Sequence, residues 1–284
     1  MTRLTRLRDA VHGWPAGWLL APAVLLLVGL FVYPTLEIAK LSLFDPGFTT
    51  QHFARFFGTP VYLRVFLHTG QISLVVALGC LVLGYPAAYF IVRMPPRWRP
   101  YVLFLILVPL WMSILIRNYA WMVVLGRTGL INSLLLGLGL TAEPLKMLFT
   151  TEAVYLAMIQ ILLPIMILTC YSVMVEIDQG LLRAARGLGA TPARAFLAVF
   201  VPLSLSGVAT GGIIVFMLSM GFFITPALLG GRRDMMMANL ISYQVSTTLN
   251  WGFAAAIALV LLVSTVAAVL LFRAVVRTPA VGLR

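Results

Sequence analysis

Apolar residues occur along this chain in six long runs, separated by short segments that hold most of the charged residues. A helix needs roughly 20 apolar residues to cross the hydrocarbon core of a bilayer, and each run has about that length. Backbone amides find no water there, so each run is predicted to be helical. The pattern predicts an all-α, polytopic membrane protein with six transmembrane helices, at residues 17–42, 66–92, 101–125, 151–175, 203–225 and 253–276.

Glycines recur at short spacing in two of these runs. Gly79 and Gly84 lie in the second run, and Gly207 and Gly211 lie in the fifth. A glycine lets two helix backbones approach closely in lipid. We expect these positions to be helix contacts, within the chain or against a second membrane subunit, rather than a substrate site.

The composition excludes a soluble domain of this size. Of the 284 residues, 62% are hydrophobic and 10% are charged, and the mean hydropathy is +1.04. A net charge of +12 would suggest nucleic-acid binding in a soluble protein. Here most of the charge flanks the apolar runs, so the expected partner is membrane lipid and not nucleic acid. Cys80 and Cys170 lie inside apolar runs and are predicted to be buried, unpaired thiols.

The distribution of basic residues predicts that both chain termini are cytoplasmic. In that orientation 12 of the 20 basic residues face the cytoplasm and 8 face the other side. No small-residue cleavage site follows the first run, so we expect an uncleaved first helix rather than a signal peptide. The expected organisation is a cytoplasmic segment 1–16, a single transmembrane domain 17–276 and a cytoplasmic tail 277–284.

The sequence contains no motif that would make this chain an enzyme by itself. It has no G-x-x-x-x-G-K-[ST] phosphate loop, and Lys40 and Lys146 lie outside glycine-rich segments. An intramembrane serine protease would need a histidine base in a later span, and a zinc hydrolase would need H-E-x-x-H. The histidines, His12, His52 and His68, all precede the third run. We therefore expect no catalytic residue and no metal site.

The segment between the fourth and fifth runs, residues 176–202, is predicted to form a short helix, a tight turn and a second helix. Asp178 is a suitable N-cap. Gly189 can adopt the left-handed conformation that ends a helix, and Thr191 followed by Pro192 is typical of a helix start. The first helix would carry an apolar stripe and a flat side that suits either another protein or the bilayer surface. The stripe consists of Leu181, Leu182, Ala185 and Leu188.

This segment resembles the conserved cytoplasmic loop of binding-protein-dependent ABC importer permeases. That loop has the pattern E-A-A, three residues, G, nine residues, then I-x-L-P. Ala184 and Ala185 match the alanines, Gly189 matches the glycine, and residues 199–202 match the final group conservatively. Arg183 stands at the glutamate position, which departs from the pattern and puts in doubt any ATPase contact made by that carboxylate.

Further segments between residues 66 and 231 are similar to spermidine/putrescine-type permeases, in the branch that also handles opines and aminophosphonates. They are Leu83–Tyr89, Pro109–Trp111, Arg117–Trp121, Gly129–Asn132 and Leu228–Gly231.

The resemblance implies a permease subunit of an ATP-driven importer in the bacterial inner membrane, with residues 181–189 as the helix that couples it to separate ATPases. The implied partners are a second permease subunit, two ATP-binding subunits and a periplasmic or extracellular solute-binding protein. ATP and magnesium would be bound by the ATP-binding subunits, so no cofactor is expected in this chain. The implied coupling residues are Leu181, Leu182, Arg183, Ala184, Ala185, Gly187 and Gly189.

The resemblance also implies a polyamine, spermidine or putrescine, or a related amine as the solute. Aromatic faces and carboxylates bind such cations, although each aromatic residue is also suited to core packing or to the membrane interface. The candidate pathway residues are Tyr85, Tyr89, Trp111, Trp121, Glu152 and Tyr171.

The residues alone leave two alternatives open. One is an ion-gradient-driven secondary transporter, although such carriers usually show charged pairs at mid-membrane and an inverted repeat, and neither is evident. An intramembrane protease is a more remote alternative. Arg117 lies within the third apolar run, and we expect its side chain to snorkel outward or, as an alternative, to pair with Glu152 or Glu143.

Overall fold

The structure is a computed structural model that describes residues 17–44 and 47–275. The predicted cytoplasmic segment 1–16 and tail 277–284 lie outside the described residues. Throughout the described part of the chain the regular structure is helical, without strands. The all-α prediction is therefore confirmed.

The helices follow one another through short connections, and two of the junctions are continuous π-helical turns, Val28–Val32 and Phe196–Phe200. In chain order they are α1 (Gly17–Leu27), α2 (Tyr33–Leu43), α3 (Gln51–Gly58), α4 (Pro60–Arg93), α5 (Arg99–Trp111), α6 (Ile114–Leu125), α7 (Leu130–Gly137), α8 (Thr151–Glu176), α9 (Gln179–Gly187), α10 (Pro192–Ala195), α11 (Val201–Met220), α12 (Ile224–Leu229), α13 (Met237–Ser246) and α14 (Trp251–Val275).

Six helical segments of the described chain are long and apolar enough to cross a membrane, as the hydrophobic pattern predicted. The third of them combines α6 and α7, and the fifth includes α10 because the π-helical turn joins α10 to α11. They are Leu20–Leu43, Pro60–Arg93, Ile114–Gly137, Thr151–Glu176, Pro192–Met220 and Trp251–Ala274.

The predicted third span, residues 101–125, is wrong as a single helix. It divides into α5 and α6, because Met112 adopts an extended conformation with ψ 142° and ends α5. Pro109 precedes this break by three residues and has no N–H for the helical bond to the carbonyl of Leu105. With 13 residues, α5 is only ~20 Å long and cannot span a bilayer alone.

Three helices, α4, α8 and α11, form the centre of the molecule, and glycines set their separation. A Cβ atom at Gly84 would lie 2.8 Å from Met166 Cγ, and one at Gly207 would lie 3.0 Å from the carbonyl oxygen of Thr169. These positions have no room for a side chain, which confirms that the glycines are helix contacts. Cys80 and Cys170 are buried in the same core as free thiols, also as predicted.

These contacts also give the relative direction of the helices. Gly79 lies beside Ile159 and Gly84 lies beside Met166, so α4 and α8 are parallel, whereas α11 runs antiparallel to both. As a result, α9 and residues 94–98 lie at one end of the bundle, here called the α9 end. The start of α8, α7 and residues 230–236 lie at the opposite end, called the α7 end.

A buried carboxylate holds the connection between α12 and α13 at the α7 end. Asp234 is 3% exposed, and its Oδ1 accepts a hydrogen bond from Thr151 Oγ1 at 2.5 Å. Its Oδ2 accepts the N–H of Gly231 at 2.8 Å, and His68 Nε2 lies 3.5 Å from Oδ1. One side chain therefore joins this connection to α4 and α8.

The close packing at Gly211 predicts a sharp difference between two neighbouring glycines. A Cβ atom at Gly211 would overlap Thr169 Oγ1 and lie 2.8 Å from Met166 Sδ, whereas one at Gly212 would meet nothing within 4 Å. Gly211→Val is expected to destabilise the bundle by about 1–3 kcal/mol through overpacking. Gly212→Val makes the same change in helix propensity without the clash. Thermal unfolding of both variants in detergent measures the difference, and equal stability would contradict the packing described here.

Candidate functional site: the capped helix between α8 and α11

Side chains determine where α9 begins and where the next helix begins. The carboxylate of Asp178 accepts the backbone N–H of Gly180 at 2.7 Å, and Thr191 Oγ1 accepts that of Arg194 at 3.3 Å. Pro192 occupies the first turn of α10, where its missing N–H costs nothing. Both predicted N-caps are therefore confirmed.

The C-terminus of α9 is closed by a Schellman motif centred on Gly189. The N–H of Gly189 bonds to the carbonyl of Arg186 at 2.9 Å, and the N–H of Ala190 bonds to that of Ala185 at 3.1 Å. Gly189 has φ +91°, a left-handed conformation that a residue with a Cβ atom adopts only under strain. The predicted glycine stop is confirmed, and it turns the chain sharply into α10.

A single leucine fixes α9 to the membrane bundle. Leu182 is 4% exposed and belongs to the same apolar core as Met174 of α8 and Phe200 before α11. Because α9 is attached at this point and continuous with short turns on both sides, its position depends on the ends of α8 and α11.

The outward face of α9 carries exposed apolar residues beside small ones. Leu188 is 90% exposed and Leu181 is also exposed, so the apolar stripe predicted from the sequence is wrong as one contiguous face. Leu182 points inward, while Leu181 and Leu188 point outward. The exposed residues next to them are Arg183, Ala184, Gly187 and Gly189, and Ala185 is partly buried.

The α7 end contains a helix terminus with the same construction. Leu138 caps α7 and is 71% exposed, and Gly139 follows with φ +67°. The N–H groups of Gly139 and Leu140 bond to the carbonyls of Leu136 and Leu135, as in the Schellman motif of α9. The two termini share their local chemistry and differ in the end of the bundle that they occupy.

Three of the candidate pathway residues lie together in the central core. Tyr85 forms a hydrogen bond with Ser204 Oγ at 2.8 Å, which links α4 to α11. Tyr89 packs edge-on against two phenylalanine rings, and the guanidinium of Arg93 lies 4.7 Å from its ring centre. Tyr171 packs against the same core.

The other three candidates are separate from this group. Trp111 is exposed at the end of α5 and contacts Phe104 with a ring distance of 5.7 Å. Trp121 Nε1 donates to Gln160 Oε1 at 3.4 Å. Glu152 lies at the α7 end, in a cleft of about 350 Å³ that Lys146 also lines. The six candidates do not form one site in this structure, and their role in the pathway stays a prediction.

Arg117 differs from both expectations drawn from the sequence. Its Nε and Nη1 atoms are buried and have no hydrogen-bond partner in the described chain, so these nitrogens do not snorkel to the surface. The ion pairs among the described residues join Lys40 to Glu37 and His68 to Asp234, so Arg117 is paired with neither Glu152 nor Glu143.

Sequence analysis missed Gln160, which lines a cleft with Arg117. The available signal was a single amide side chain in the middle of the otherwise apolar fourth run. Among the described residues, no group of three His, Cys, Asp or Glu side chains is placed to hold a metal ion.

Comparison with known proteins identifies the family. Residues 80–279 match the family model described as binding-protein-dependent transport system inner membrane component. The spermidine/putrescine transport system permease protein PotB of Salmonella typhimurium (strain SL1344) is 38% identical over 214 residues, which cover 75% of this chain and 74% of that protein. PotB of Haemophilus influenzae (strain ATCC 51907 / DSM 11121 / KW20 / Rd) is 33% identical over 249 residues, 88% of this chain and 85% of that protein.

Solved structures have the same fold. A chain of a bacterial alginate ABC transporter, crystallised in complex with an alginate pentasaccharide-bound periplasmic protein, superposes with a TM-score of 0.80. The alignment covers 95% of this chain and 96% of that chain at 17% identity, which supports the fold alone. Of the function classes left open by the residues, the family match selects the importer permease over the secondary transporter and the protease. The chain belongs to the family of inner-membrane permease components of binding-protein-dependent ABC importers.

Proposed function

We propose that α9 is the surface through which separate ATP-binding subunits drive this permease. The observation that carries the proposal is Leu188, an apolar side chain 90% exposed at the end of a helix that the chain itself fixes in position. Ala184 and Gly187 on the exposed surface allow a partner to approach closely. The same helix matches the E-A-A…G pattern of the family, with Gly189 at the glycine.

The attachment of α9 suits the transmission of movement. α9 follows α8 after two residues and leads through α10 into α11, and Leu182 packs on the ends of both spans. Because α8 and α11 both pack against α4, a displacement of α9 would move the centre of the bundle rather than a free loop. In the proposed cycle, closure of two ATP-binding subunits displaces α9 and changes access to the solute pathway.

The contact proposed here is apolar in character. Arg183 occupies the position of the family's glutamate and is exposed, so the usual carboxylate is missing at this point. The acidic residues nearby in the chain are Glu176 and Asp178, and the carboxylate of Asp178 is already bonded to Gly180. Recognition would therefore depend on Leu181, Leu188 and the small residues between them.

The proposed orientation places the α9 end in the cytoplasm. Basic residues of the described chain are frequent at this end, as expected of cytoplasmic segments. They are Arg93, Arg97, Arg99, Arg183, Arg186, Arg194 and Arg273. In this orientation α7 and the loop held by Asp234 face the solute-binding protein, and both chain termini are cytoplasmic.

The proposed solute is a polyamine, spermidine or putrescine. Support comes from the names of relatives that are 33–38% identical over most of the chain. The proposed assembly contains this chain, a second permease, two ATP-binding subunits that hold ATP and magnesium, and a periplasmic solute-binding protein. Aromatic rings such as those of the candidate pathway residues can bind a cation, and much of the selectivity would be set by the binding protein.

Substitution of the exposed leucines at the two ends tests the docking surface. Leu188→Glu is expected to reduce co-purification of the ATP-binding subunits about tenfold or more, since it introduces a charge at the centre of an apolar contact. Leu138→Glu, at the equivalent position of α7, should leave recovery unchanged. The measurement is subunit recovery with the tagged permease in detergent. Full recovery with Leu188→Glu would favour a helix that merely rests on the bilayer.

The two left-handed glycines provide a second matched pair. Gly189→Val forces a β-branched residue to φ +91°, and no atom within 4 Å would clash, so the effect comes from backbone strain of about 1–2 kcal/mol or more. Transport should collapse while the amount of membrane-inserted chain is retained. Gly139→Val, with φ +67° at the α7 end, imposes comparable strain and should preserve coupling. Equal loss of transport in both variants would contradict a special role for α9.

Uptake measurements test the solute and the energy source together. Cells that lack other polyamine importers and express the complete transporter should accumulate labelled spermidine, with competition by unlabelled putrescine and none by 2-aminoethylphosphonate. Omitting the ATP-binding subunits should abolish uptake. Uptake by the permease alone in proteoliposomes under an ion gradient would overturn the ATP-driven mechanism, and competition by the phosphonate alone would overturn the choice of solute.

A further inference from the structure

Arg117 carries a charge that the described chain does not balance. Two of its guanidinium nitrogens, Nε and Nη1, are buried without a hydrogen-bond acceptor. A buried charge is normally paired or hydrogen-bonded, because protein and lipid solvate it poorly. The acceptor for these nitrogens therefore does not come from the described part of the chain.

The guanidinium lines an open cleft of about 330 Å³ beside the break between α5 and α6. The cleft is otherwise apolar except for Gln160 of α8, whose Oε1 accepts the N–H of Trp121. The amide nitrogen of Gln160 and the guanidinium of Arg117 are then two hydrogen-bond donors among the side chains that line the cleft. The wall consists of Pro109, Met112, Arg117, Ala120, Trp121, Val124 and Gln160.

The cleft lies deep within the membrane-spanning part of the bundle. Gln160 is the tenth of the 26 residues of α8, so it is roughly 14 Å from one end of that helix and roughly 24 Å from the other. Head groups of the lipids are too far away to bring phosphate to this depth. An arginine at mid-membrane faces protein or a water-filled path rather than hydrocarbon.

Most of the described carboxylates lie away from this depth. Glu143 and Glu152 lie at the α7 end, and Glu176 and Asp178 lie at the α9 end. Asp234 is bonded to Thr151 and Gly231. Glu37 lies within the first span, and in this structure its ion pair is with Lys40 at 3.8 Å rather than with Arg117.

We propose that the Arg117 cleft binds the carboxylate of an Asp or Glu in a membrane-spanning segment of the second permease subunit. The proposal rests on the proposed assembly of two permeases, and charge complementarity selects the partner. A hydrogen bond between a guanidinium N–H and a carboxylate is charge-assisted, so it is stronger than one between neutral groups. The second permease is then a subunit with an acidic residue inside a span.

The test compares two arginines of the same segment in the complete transporter. Arg117→Gln is expected to reduce recovery of the second permease with the tagged chain about tenfold or more, as removal of one member of a buried charge pair does. Arg127→Gln removes the same charge from an exposed position after α6 and should have no effect. Arg117→Lys should restore recovery only in part, because an ammonium is more strongly hydrated than a guanidinium and loses more on burial.

Charge reversal separates a lost contact from a misfolded chain. Arg117→Glu should abolish assembly and transport, and selection for restored transport should yield changes of an intramembrane Asp or Glu of the second permease to Lys or Arg. Such suppressors cannot rescue an unfolded chain. Wild-type recovery and transport with Arg117→Gln would overturn the proposal. Normal recovery with lost transport would also overturn it, and would assign Arg117 a role in transport rather than in assembly. Failure of the unaltered chain to recover any subunit would refute the proposed assembly itself.

Discussion

Close contact between α4, α8 and α11 is the constraint on which the rest of this structure depends. Helices in lipid gain little from hiding apolar surface from one another, so they are held by van der Waals contact and must approach closely. Gly84, Gly207 and Gly211 make that approach possible, because Met166, Thr169 and Val173 of α8 fill the space that side chains would occupy. At the centre of the molecule, glycines of α4 and α11 therefore leave space that side chains of α8 occupy.

This packing determines where α9, the proposed docking surface, lies. α8 ends and α11 begins at the same end of the bundle, and Leu182 fills the space between their termini. The caps of α9 involve only residues next to it in the chain, whereas its position relative to the membrane is determined by the central helices. A short helix with exposed leucine and glycine would be unremarkable elsewhere in the chain, as α7 demonstrates with the same terminal motif at the other end. The proposed distinction between them is the connection of α9 to the core.

Two charged side chains inside the bundle, Asp234 and Arg117, differ in whether the described chain provides them with hydrogen-bond partners. Asp234 is buried and bonded to Thr151 and Gly231, with His68 nearby, so the chain satisfies it internally and uses it to hold a loop. Arg117 is buried at two of its nitrogens without an acceptor in the described chain. A charge that is paired within the chain, such as that of Asp234, stabilises the subunit. A charge without an internal acceptor, such as that of Arg117, is proposed to contact another subunit. In the proposed assembly, this difference separates internal structure from subunit contact.

The sequence by itself determined the helical class, the number of spans and the limits of α9, because these depend on local interactions. Runs of apolar residues satisfy their own backbone groups, Asp178 and Thr191 bond to amides two or three residues away, and Gly189 needs only its own conformational freedom. The sequence also showed which residues occupy the positions of the family motif, with Arg183 in place of the glutamate.

Tertiary structure decided what depends on distant residues. Pro109 precedes a break in its helix, whereas Pro86 and Pro164 lie inside uninterrupted helices, so proline alone does not determine where a span divides. Periodicity placed Leu181 and Leu182 on one stripe, but only the positions of Met174 and Phe200 determine which leucine is buried. The six candidate pathway residues are separated because they lie on four helices, and Gln160 lines the same cleft as Arg117 because α6 packs against α8. Such contacts join residues far apart in the chain, and local sequence carries no information about them.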